Sequence, residues 1–209
     1  MKRDASLENL IAIVAKDPRL HARWLNTFSF LEYIGFRKIV KSQRAETLNS
    51  TVLGHALEEG RHALRLKKLA IHIGGSDFEN YAPGLMICGE EAEDYFQSLD
   101  HECEAQFADR SEKDRAKLTY HYVTWLIERR ALDVYAVYQK AVKGTIVAEK
   151  LKGLLAEEVG HLEQVESDLA ASDPQHKQNA AHFIALEQRL YEKLIAQFSS
   201  ALASETVVG

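Results

Sequence analysis

Apolar positions along this chain recur at three- and four-residue intervals and do not sustain an every-other-residue alternation. That spacing predicts helices with one buried face, and no strands. Caps and breakers divide the pattern into seven helical segments, at residues 6–15, 20–42, 48–73, 90–108, 112–142, 145–171 and 176–202. Pro18, Pro83 and Pro174 all fall where the periodicity fails, and Gly74-Gly75 ends the third segment. No linker of biased composition interrupts the chain. The expectation is therefore one all-α domain over residues 1–209, with a bundle core at about 20–171 and an additional C-terminal helix at about 176–202.

Four polar residues sit in the middle of apolar stripes. Glu32 has Leu25, Phe28, Phe36 and Ile39 one and two turns away on the same face. Glu128 lies among Trp125, Ala131, Leu132 and Tyr135, and Glu59 shares a face with Val52, His62, Leu66 and Leu69. Glu158 lies with Leu151, Leu154, Leu155, His161, Leu162 and Val165. A carboxylate buried alone costs several kcal/mol or takes up a proton, so each needs compensation.

Two of the four belong to a repeated phrase, Glu59-x-x-His62 and Glu158-x-x-His161, which puts a carboxylate and an imidazole one turn apart on one helix face. With 21 glutamates and 9 histidines, about one such phrase arises by chance, so spacing alone carries little. Placement carries more. Each phrase follows a stripe-centred glutamate, by 27 residues for Glu32 and Glu59 and by 30 for Glu128 and Glu158. Two helical hairpins with matching chemistry imply a pseudo-twofold bundle. Four ionised glutamates balance two divalent cations, and mixed carboxylate and imidazole donors suit iron, manganese or zinc better than calcium or magnesium.

This arrangement resembles the ligand set of the ferritin-like di-iron carboxylate superfamily, over about residues 20–165. The resemblance implies a four-helix bundle with a long crossover and two iron ions, with manganese or a mixed iron–manganese pair as alternatives. It implies that Glu59 and Glu158 bridge the metals, that Glu32 and Glu128 are terminal ligands, and that His62 and His161 bind one ion each. Glu58 and Glu157 would accept a hydrogen bond from the histidine of the opposite phrase; the alternatives are an exposed acid or an exchange of ligand within each Glu-Glu pair. His55 and His121 are read as core or supporting residues rather than ligands. Tyr33, Tyr120, Tyr122 and Tyr135 are read as aromatic packing.

The implied activity is an oxidoreductase that uses dioxygen or peroxide, with a small-molecule substrate and, for an oxygenase, an external electron donor. The second reading is an iron-binding ferroxidase for storage or detoxification. The 69 residues from Glu59 to Glu128 hold an acidic helix, and a further helix follows residue 171; both favour the enzyme. Composition narrows the partners. A net charge of −5 gives no electrostatic footprint for nucleic acid or an anionic membrane. The cluster Arg61, Arg65, Lys67 and Lys68 has helical spacing and reads as a solvated face. Cys88 and Cys103 suggest buried packing rather than a disulfide framework. No run approaches the length of a membrane span, so a cytoplasmic location is expected. Helix faces rich in Phe, Leu and Tyr are compatible with a homodimer.

Overall fold

The computed structural model describes residues 5–42 and 48–208. Among these are seven α-helices and no strand: α1 (Ala5–Val14), α2 (Pro18–Ser42), α3 (Ser50–Gly74), α4 (Gly89–Gln106), α5 (Glu112–Ala141), α6 (Ile146–Ser172) and α7 (His176–Val208). Each predicted segment has its helix, and most ends agree within two residues. The exception is α7, which continues to Val208 rather than ending near residue 202. Two short 3-10 turns, Ser76–Glu79 and Pro83–Leu85, occupy what the sequence marked only as a loop.

Local chemistry sets the helix starts. Pro18 opens α2 with its φ already helical, and Asp17 accepts the Leu20 N–H at 2.8 Å. Asn49 caps α3 through the Val52 N–H, Ser111 caps α5 through Asp114, and Thr145 caps α6 through Ala148. These caps fix where along each helix the glutamates and histidines fall.

Helices α2 and α3 pack as an antiparallel hairpin, and α5 and α6 as another. The hairpins meet along α2–α5 and along α3–α6. Helices α1, α4 and α7 pack over the α2 and α5 side, so that side carries the thicker apolar cover. Its core includes Ile11, Trp24, Leu25, Tyr138 and Phe198. No described helix is long and apolar enough to cross a membrane.

The crossover between α3 and α4 is tied down by polar contacts. Asn26 donates to the carbonyls of Asn80 and Leu85, and Thr27 bonds both the N–H and the carbonyl of Ile87. Lys67 corrects an expectation: it is buried, not on a solvated face. Its ammonium bonds Asn26 and the Asn80 carbonyl and sits 3.4 Å from the Tyr81 ring centroid. Burial pulls its pKa down to about 8. Cys103 is buried as expected, whereas Cys88 is half-buried; neither forms a disulfide.

Candidate metal centre

The six residues singled out as ligands converge between the two hairpins. Glu32 comes from α2, Glu59 and His62 from α3, Glu128 from α5, and Glu158 and His161 from α6. All four carboxylates are buried, Glu158 to 1% exposure, and His62 is wholly enclosed. The donors form two groups that share Glu59. One is Glu32, Glu59, His62 and Glu158; the other is His55, Glu59, Glu128 and His161. Within each group the donor atoms lie within 4.8 Å of one another.

The imidazoles have a common orientation. His62 Nε2 donates to Glu157 Oε2 at 2.6 Å, and His161 Nε2 donates to Glu58 Oε2 at 2.6 Å. Each acid belongs to the opposite hairpin, the arrangement that the resemblance implied for Glu58 and Glu157. Arg61 and Arg65 pair with Glu58 and Glu157 respectively and help hold them. The other ring nitrogens face the carboxylates. His62 Nδ1 lies 3.0 Å from Glu158 Oε1 and 3.8 Å from Glu32 Oε2, yet makes no hydrogen bond. His161 Nδ1 lies 3.3 Å from Glu158 Oε2 and 3.5 Å from Glu128 Oε1. A wholly buried imidazole nitrogen aimed at carboxylates without a hydrogen bond is suited to a cation between them.

Electrostatics describes how the cluster stands with protons alone. Burial, together with the charges of Glu59 and Glu158, raises the Glu32 pKa well above the usual carboxylate range. Burial and the Glu158 charge raise Glu128 to about 8. Burial also works against the Glu158 carboxylate, but hydrogen bonds from Glu128 and His161 and the positive charge of nearby His62 outweigh it and hold that pKa low. For His161 burial opposes the cation, and Glu128 and Glu158 outweigh it, lifting the pKa to about 11. Protons and imidazolium charge thus offset the crowded carboxylates, the task that two divalent cations could take over.

Neither a family model, nor a curated protein, nor a solved structure matches this chain. The centre is therefore characterised by its own geometry.

Three contributors were not legible as such in the sequence. Tyr135, read as packing, donates its hydroxyl to Glu32 Oε1. Gly35 leaves room for Glu59: a Cβ there would stand 3.0 Å from Glu59 Oε2. His55, read as a supporting residue, turns Nε2 into the cluster. Each left a faint signal. Tyr135 lies two turns after Glu128, Gly35 interrupts a strong helix three residues after Glu32, and His55 precedes Glu59 by one turn. His121 is different. It is buried but joins neither group, and burial lowers its pKa.

Two chambers border the buried carboxylates of the cluster. The inner one, about 70 Å³, touches Glu32, Glu59, Glu128 and Glu158 and is otherwise walled mainly by apolar side chains, among them Trp24, Phe28, Val134 and Phe198, with Arg130 also in its wall. The outer one, about 270 Å³, is mixed in character, with Lys38, Asp100, Thr119 and Tyr120 in its wall. Both chambers are lined by Glu59, Phe96, Ile127 and Glu128, so they adjoin at the carboxylates.

Proposed function

We propose that this protein is a di-metal carboxylate oxidoreductase on a ferritin-like four-helix bundle, with two iron ions as its resident cofactor and manganese or a mixed pair as alternatives. The observation that carries this reading is the pair of buried donor groups sharing Glu59, with the enclosed His62 Nδ1 facing Glu158 and Glu32. Two carboxylate-rich groups that each include imidazole fit first-row transition metals. Glu32, Glu59, His62 and Glu158 would hold one ion; Glu59, Glu128 and His161 would hold the other. Glu158 also approaches His161 Nδ1 at 3.3 Å, which suits a bridge between the positions. When bound, the pair supplies redox chemistry and open positions for dioxygen or peroxide.

The chain's own residues supply the rest. Glu157 and Glu58 hold the Nε2 protons of His62 and His161, which leaves each Nδ1 lone pair for the centre. Tyr135 orients Glu32, and Gly35 admits the Glu59 carboxylate. The inner chamber sets a mainly apolar wall, including Trp24, Phe28, Val134 and Phe198, against the carboxylates. That mainly apolar wall suits an apolar reactant better than transit of hydrated iron, and so favours the enzyme over a storage protein. Electrons would come from an external donor, and the chemistry calls for neither nucleic acid nor membrane.

The test starts from protein stripped by chelation and reloaded with Fe(II) without oxygen. Two ions per chain and dioxygen uptake that is lost in Glu59→Ala support the reading. One ion or none overturns it. Continued oxidation of added Fe(II) far beyond two per chain, with mineral formed, would replace the enzyme by a storage protein.

A further inference from the structure

This inference rests on the two-metal reading and adds to it. We propose that His55 is a third imidazole ligand, which makes the two metal positions chemically unequal. One position then offers three carboxylates and one imidazole (Glu32, Glu59, Glu158, His62). The other offers two carboxylates and two imidazoles (Glu59, Glu128, His55, His161).

The evidence is a shared pattern. A metal-bound histidine characteristically has its second ring nitrogen held by an oxygen, which fixes the tautomer and aims the free nitrogen. His62 and His161 show this with Glu157 and Glu58. His55 shows it with Tyr120: its Nδ1 lies 2.9 Å from the Tyr120 hydroxyl. Its Nε2 lies 3.2 Å from Glu128 Oε1 and 3.3 Å from Glu59 Oε1, as close to the carboxylates as His161 Nδ1 comes. The His55 and His161 rings are 4.6 Å apart between centroids, near enough for both to reach one ion. His55 also stands on the same face of α3 as Glu59 and His62, one turn earlier, so the helix delivers all three together. The other buried histidines lack the pattern: His21 bonds Tyr138, and His121 joins neither group.

The inequality has a chemical consequence. Imidazole suits cobalt, nickel and zinc more than manganese, and oxygen donors suit manganese. A late divalent metal should therefore fill the two-imidazole position first, and manganese should discriminate less between the two.

Co(II) titration of metal-free protein tests this, followed by calorimetry and by metal analysis at saturation. Wild type should bind two ions in steps at least about tenfold apart. His55→Gln should still reach two ions but lose about tenfold or more from the tighter step. Tyr120→Phe should weaken the same step, because it removes the oxygen that aims His55. A second measurement needs no variant. Proton NMR of Co(II)-loaded wild type in water should show three hyperfine-shifted exchangeable imidazole N–H signals, from His55, His62 and His161. Two signals, or a His55→Gln isotherm identical to wild type, would overturn the assignment of His55 and leave the two-metal reading standing. Fewer than two Co(II) per wild-type chain would instead sink the two-metal reading. If His55→Gln does not fold, judged by circular dichroism, the number of shifted signals decides.

Discussion

Removing the bond between Tyr135 and Glu32 tests how a carboxyl group survives inside this core without metal. Glu32 is 9% exposed, Tyr135 is 2% exposed, and the phenol donates to Glu32 Oε1. Tyr135→Phe leaves a buried carboxyl without its donor, and Glu32→Leu leaves a buried phenol without its acceptor. Stranding one partner costs about 1–3 kcal/mol, whereas replacing both with apolar groups can be nearly neutral. Glu32→Leu also relieves the crowding by Glu59 and Glu158, so its net loss should be the smaller of the two. The double variant should then be close to wild type, with a coupling of about 1–3 kcal/mol. The assay is urea unfolding of the four proteins in excess chelator, with Tm as a parallel readout at about 2–4 °C per kcal/mol for a chain of this length. Additive single effects, within about 0.5 kcal/mol, would refute the claim that Tyr135 compensates Glu32.

Three further outcomes are expected. Glu157→Gln should weaken metal binding by about 10–100-fold at the position that includes His62, and Glu58→Gln should do the same at the position that includes His161; Co(II) titration reads both, and unchanged isotherms would show that these acids do not orient the rings. Gly35→Ala should raise metal-free stability by up to about 1 kcal/mol through helix propensity, yet lower metal affinity, because the new Cβ presses on Glu59 Oε2 from 3.0 Å; unchanged affinity would mean that Glu59 can move aside freely. Asp173 is buried at the break before α7, and burial alone would raise its pKa, but bonds from Tyr122, Asn179 and the Gln175 N–H outweigh that and hold it low. Its contribution is therefore complete above the unfolded carboxylate pKa of about 3.9 and is lost as pH falls through the lower folded value. The stability gap between wild type and Asp173→Asn, from urea unfolding at stepped pH, should narrow below about pH 4; a gap independent of pH would count against the ionised pairing.

The helices and the polar cluster differ in how far the sequence revealed them. Helix identity is local: a 3.6-residue period, a cap such as Asn49 and a breaker such as Pro174 are all present in a short stretch of chain. The inward placement of Glu32, Glu59, Glu128 and Glu158 was legible for the same reason, since each sits in the middle of its own helix's apolar stripe. Lys67 shows where that logic fails. Its helical neighbours look solvated, but α2 supplies Asn26 and the crossover folds back over it with the Asn80 carbonyl and the Tyr81 ring.

The sequence by itself therefore determined an all-α chain carrying buried acids that need compensation, and the repeat that pairs them with His62 and His161. Only the tertiary structure decided which groups meet. Glu58 reaches His161 across 103 residues, Glu157 reaches His62 across 95, Tyr135 reaches Glu32 across 103, and Tyr120 stands behind His55 across 65. These contacts depend on how two hairpins lie against each other, and that depends on side-chain packing along the whole of α2–α5 and α3–α6. Periodicity assigns each residue to a face of its own helix; it carries no information about what the opposite helix presents there. The same holds for the inner chamber, whose walls come from all seven helices and form only once these have docked.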